Sequence, residues 1–229
     1  MLTAIALAPS APVLVPALAG RAAIEIADLR AAAIAAASAL PNQWIVIGVG
    51  PSDQVLTRSR GTFAGYGVDV PVALCPQPDL ERVTLPLCAL TAGWLRGQAN
   101  PDAVLTVHVC AANLVAQDAL SRGRTLRAQI DRAGAPTGAL IVADGANTLT
   151  PAAPGGFDPG SVSVQRALDD ALECADVGVL GGLSSGVVGR VAYQVLAGLA
   201  GSDSWAVSGM HCCAPFGVGY TAGLWERAE

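Results

Sequence analysis

Short runs of consecutive apolar residues alternate along this chain with longer stretches in which apolar residues recur every three or four positions. The first pattern predicts strands buried on both faces, and the second predicts helices lying against them. Strand-like runs fall at residues 3–8, 44–49, 68–74, 103–109 and 138–143. Helical spacing falls at 20–40 (Ile24, Ala27, Ala31 and Ile34 on one face), 85–95, 125–133, 162–175 and 188–199. Residues 61–67 read as a glycine-rich loop, and 205–220 as strand broken at Ala214-Pro215. Strands alternating with helices predict an α/β fold: one domain over residues 1–229, with a mostly parallel central sheet and helices on both faces.

The stretch from Asp144 to Gly160 stands apart. It follows the apolar run 138–143 and carries three prolines and four glycines, so it is neither helix nor central strand. Asp144 is expected at the carboxyl end of a buried strand, the edge where open α/β sheets bind ligands. The residues that follow form a long loop of the kind that is often functional. Asp144 and Asn147 are therefore candidate pocket residues, or turn formers that bond their own backbone.

Composition narrows the partners. Hydrophobic residues make up 52% and charged residues 14%, too apolar for disorder and sparing of surface charge, which suggests a face covered by another copy of the chain. Net charge is −5 and the thirteen cations, all Arg, are scattered, so neither nucleic acid nor an anionic membrane is an expected partner. The six cysteines form no C-x-x-C pair or disulfide framework, which points to a reduced, cytoplasmic chain. The apolar start lacks a basic segment and contains Pro9, Pro12 and Pro16, unlike a signal peptide.

Several local motifs have two readings. Gly48-Val49-Gly50 starts like a dinucleotide fingerprint, but Pro51 interrupts it and Asp53 holds the last glycine position. Gly182-Leu183-Ser184-Ser185-Gly186 fits G-x-S-x-G, with Asp203 and His211 in hydrolase order, so a serine hydrolase using Ser184 is one alternative; a turn between two helices is the other. His108 and His211 have no partner at helical spacing and read as structural. On a strand, His211 and Cys213 share a face, while Cys212 points the other way.

Four segments together resemble the superfamily of class III extradiol ring-cleavage dioxygenases, which includes the Memo-like proteins. They are Pro9-Ser10-Ala11-Pro12-Val13-Leu14-Val15-Pro16, the run from Ile45 to Ser52, the Asp144 loop with Ala153-Pro154-Gly155-Gly156-Phe157-Asp158-Pro159, and Ala214-Pro215-Phe216-Gly217-Val218-Gly219-Tyr220. With Gln194-Val195-Leu196-Ala197-Gly198, they are most similar to short actinobacterial dioxygenase-like members. The resemblance implies an Fe(II) held by two histidines and a carboxylate, with a cysteine in place of the carboxylate in Memo-like members. The matched histidine positions here are Ser10 and Ser52, which are poor iron ligands. The expectation is a non-dioxygenase or inactive homologue with no cofactor and no metal, whose strand-end pocket, lined by Ser10, Ser52, Asp53, Asp144, Asn147 and His211, takes a small-molecule ligand. A rebuilt metal site would draw on His211, Cys213 and Asp144. A non-enzymatic binding or self-assembly protein, a homo-oligomer, is the remaining alternative.

Overall fold

The computed structural model describes residues 1–77 and 79–228. The chain begins with β1 (Leu2–Ala8), a one-turn helix α1 (Pro16–Ala19), α2 (Ala27–Ser38), β2 (Gln43–Gly50) and β3 (Gln54–Leu56). Three short strands follow, β4 (Ser59–Thr62), β5 (Pro71–Ala73) and β6 (Glu81–Arg82), then α3 (Leu87–Ala99), β7 (Val104–Ala111), α4 (Ala116–Ala133) and β8 (Thr137–Val142). The last third holds α5 (Ser161–Glu173), α6 (Val177–Gly181), α7 (Arg190–Ala200), β9 (Trp205–Cys213) and β10 (Tyr220–Arg227).

The main sheet has seven strands in the order β3-β7-β2-β8-β1-β10-β9. Its centre, β7-β2-β8-β1, is parallel, as the apolar runs predict. β3, β10 and β9 each run antiparallel to a neighbour, so the sheet is mixed around its parallel centre. Alternate residues of each strand feed two cores. One packs Val46, Val107 and Leu140 under α2 and α3. The other packs Ile5, Ile47 and Ile141 under α4, α5 and α7.

Three local expectations fail. Residues 20–40 are not one helix: a 3-10 turn occupies 20–23, α2 starts at Ala27, and its buried face is Leu29, Ala33, Ala36 and Ala37, leaving Ile24 exposed. The run 68–74 does not join the main sheet; β5 pairs with β4, which also pairs with β6, in a separate three-stranded sheet that takes up the start of the supposed glycine-rich loop. Finally, α4 starts at Ala116, not 125. Its polar first half is anchored by backbone contact: a Cβ at Gly123 would overlap the Val195 carbonyl of α7, and one at Gly198 would overlap the Leu120 carbonyl of α4. At Gly48 a Cβ would collide with Cys88 of α3, so this glycine admits a helix side chain rather than a phosphate.

Candidate functional site

β1 and β8 finish level with one another, Ala8 opposite Val142, while β2, with Gly48 opposite Val142, runs on to Gly50 beside β7. Pro9 has no amide hydrogen and β1 stops there. The chain leaving β8 then turns past the end of β1 to meet the approach to β10. The Gly145 amide donates to Gly219 O (2.7 Å), Gly219 N to Ala146 O (2.8 Å), and Leu149 N to Gly217 O (3.1 Å). The Asp144 loop is thus tied to residues 217–219, which joins two of the segments that carry the sequence resemblance.

Gln165 of α5 fixes this crossing. Its side-chain oxygen accepts the buried Ala146 amide at 2.8 Å, and its Nε2 donates to Asp169 Oδ1 at 2.7 Å. A Cβ at either Gly145 or Gly219 would overlap the Gln165 amide, so glycine at both positions lets two backbones close on one side chain. The sequence does carry a sign of it: Ser161, Gln165, Leu168 and Leu172 share the buried face of α5.

Asp144 sits at the centre. Its Oδ1 accepts the Ser10 amide at 2.8 Å, and its backbone oxygen accepts Gly189 N at 2.8 Å. Next to it, Tyr193 donates from its buried hydroxyl to Ala143 O at 3.1 Å. Asp144 is half-buried. Desolvation pushes its carboxyl up to about 7 against the pull of the Ser10 amide. Burial, then the Asp144 charge, raises Tyr220 to about 12 and Tyr193 well above its ordinary value, so both phenols stay protonated.

The other expected pocket residues scatter. Ser52 is exposed and accepts a 3.4 Å bond from Gln54 Nε2. Asp53 joins neither Ser52 nor Asp144; its carboxylate takes both Arg122 terminal nitrogens (2.8 and 2.6 Å) and the Ala111 amide (2.8 Å). The Arg122 bonds, then the amide, hold Asp53 down at about 2. This tie lies beside a 350 Å³ cavity that His108 also lines; burial, and secondarily Arg122, lowers the His108 pKa. Asn147 is a turn residue whose carbonyl takes the Gly155 amide at 3.0 Å. His211 and Cys213 lie on β9 opposite Ala222 and Tyr220. Among the described residues no three His, Cys, Asp or Glu side chains gather as a metal-ligand set, so Asp144, His211 and Cys213 do not form a rebuilt metal site. Cys212 faces Thr221 at 3.8 Å, and burial, then Asp169, raises its thiol to about 12, the signature of an inert thiol.

The serine-hydrolase arrangement is absent among the described residues. Ser184 lies in an exposed turn between α6 and α7, not after a strand. Asp203 follows the other end of α7, a helix roughly 16 Å long at its length. Its carboxylate is taken by Arg127 at 2.6 Å and Arg227 at 3.4 Å, not by an imidazole.

Fold and strand-end geometry define an α/β protein with a seven-stranded mixed sheet and a carboxyl-bearing edge. Among solved structures, the chain is similar to that titled "Crystal structure of uncharacterized protein JW3007 from Escherichia coli K12". The TM-score is 0.56 and the identity 12%, over 98% of this chain and 99% of that one. At that identity the likeness shows the fold alone. No family model matches the chain, and no curated protein matches it. No helix among the described residues is long and apolar enough to cross a membrane.

Proposed function

We propose that this chain is a relative of the class III extradiol dioxygenases that does not cleave catechols. It uses the edge formed by β1, β8 and β2 as a small-ligand site, with Asp144 as the proton-exchanging group. The observation that carries this reading is the donor set. The positions after β1 and β2 that the resemblance matches to the iron-binding histidines hold the hydroxyls of Ser10 and Ser52 where Fe(II) needs imidazoles. These residues do not fit the iron that the resemblance implies. A carboxyl titrating near neutrality is instead suited to give and take a proton from a bound ligand.

Metal analysis of protein purified without chelator tests the reading, together with a catechol turnover assay. Wild type is expected to hold no stoichiometric iron and to leave catechol intact. The double variant Ser10→His, Ser52→His is expected to gain Co(II) affinity. Near-stoichiometric iron or ring cleavage by wild type would overturn the proposal, and a double variant blind to Co(II) would count against the ancestry of the site.

A second reading, self-association, is favoured by β9. It is a nine-residue edge strand without Lys, Arg, Asp, Glu or Pro, the residues that usually keep edges apart. A strict monomer in solution at high concentration would remove it.

A further inference from the structure

The small sheet places two arginines side by side. β4 and β6 run parallel with Arg60 opposite Arg82, so both side chains leave the same face roughly 5 Å apart. Like charges so placed destabilise a sheet. Among the described residues, neither guanidinium lies within 4.0 Å of a carboxylate. Glu81 precedes Arg82 on β6 and points to the opposite face. Asp69 bonds the Thr62 hydroxyl.

Three cavities meet over this pair. The central one, 190 Å³, is lined by both arginines with Gly61, Thr62, Asp69 and Pro71. It shares Arg60 with a 370 Å³ cavity reaching Trp94 and Gln98. It shares Arg82 with a 350 Å³ cavity reaching Tyr66 and Leu90. The result is a trough whose waist carries two guanidinium groups beside the Asp69 carboxylate, with Arg96 lining one arm and no charged group other than Arg82 lining the other.

We propose that this trough binds a phosphorylated small molecule, with the phosphoryl group bridging Arg60 and Arg82 and the organic part lying along one arm. A single carboxylate is satisfied by the fork of one arginine, whereas a phosphoryl group offers three oxygens and up to two charges to a pair. Binding an anion removes the repulsion between the two guanidinium groups. The net charge of −5 gives no long-range attraction for anions, so recognition is local.

Isothermal titration and thermal melts of the full chain with inorganic pyrophosphate at low ionic strength test the assignment. Wild type is expected to bind and to gain Tm. Arg60→Gln and Arg82→Gln are each expected to weaken binding by about tenfold or more. Without ligand, both variants are expected to melt at or above wild type, because a like-charge pair has been relieved. Arg124→Gln, on the exposed side of α4, should bind as wild type does. Absence of binding to wild type, or affinity unchanged in both variants, overturns the proposal. Malonate run in parallel separates the two anion chemistries, since tighter binding of this dicarboxylate overturns the phosphoryl assignment.

Discussion

Ser10 and Asp144 lie 134 residues apart in sequence and are joined by one hydrogen bond of 2.8 Å, amide to carboxylate. The bond favours the ionised acid and burial opposes it; burial wins, and the carboxyl is pushed up to about 7. Between roughly pH 4 and pH 7 the folded chain therefore holds a proton that the unfolded chain has released. The stability this confers is complete below about pH 4 and is lost as pH rises through 7. Asp144→Asn keeps an acceptor for Ser10 and has no charge to bury. The variant is expected to exceed wild type by roughly 1–3 kcal/mol at pH 8, with the gap closing toward pH 4. Urea unfolding of both proteins across that range checks it, and a gap independent of pH would place Asp144 in the ordinary carboxylate range.

The contact between α4 and α7 gives a paired prediction. Gly123→Ala drives a methyl into the backbone of α7, where nothing can rotate away. A loss of roughly 2–3 kcal/mol is expected. Gly97→Ala in α3 meets no atom within 4 Å and replaces a poor helix former by the best one. It is expected to be neutral or to stabilise by about 0.5–1 kcal/mol. Thermal melts of the two variants should move in opposite directions or differ by the whole of the first effect.

Gln165 is the third test. Gln165→Leu conserves much of the volume but leaves the buried Ala146 amide without its acceptor, at an expected cost of about 1–3 kcal/mol. Hydrogen exchange adds the diagnostic readout. The Gly145, Ala146 and Gly219 amides should lose protection together while those of β2 and β7 keep theirs, because Gln165 holds the crossing and not the centre of the sheet.

The parallel centre of the fold is legible in the sequence because strands buried on both faces must be continuously apolar, and 44–49, 103–109 and 138–143 are nearly so. The small sheet is less legible. β4 and β6 span four and two residues, too short for any periodicity to register, and nothing in the run 68–74 shows that β5 pairs outside the main sheet. The first half of α4 is held by glycine-to-backbone contact, which no hydrophobic pattern reports. In the site, Asp144 can be placed because it ends a strand. Asp53 reads as a pocket residue because its partner Arg122 lies 69 positions away, in a stretch of α4 that carries no apolar spacing of its own. Gln165 and Tyr193 escape notice because each is a polar residue among apolar neighbours on a buried helix face, and nothing local says which groups it will satisfy.

β1 lies between β8 and β10, so it borders strands that begin only at Thr137 and Tyr220, both far along the chain. Until those segments leave the ribosome, an almost wholly buried apolar strand has neither of its eventual neighbours. Local helices can form early, but closing the sheet must wait for pairings of high sequence separation, which slow folding and prolong exposure to aggregation. Moving the termini to an exposed turn such as residues 184–186 would shorten the wait between β1 and β10. A permutant of that kind should refold faster at unchanged topology.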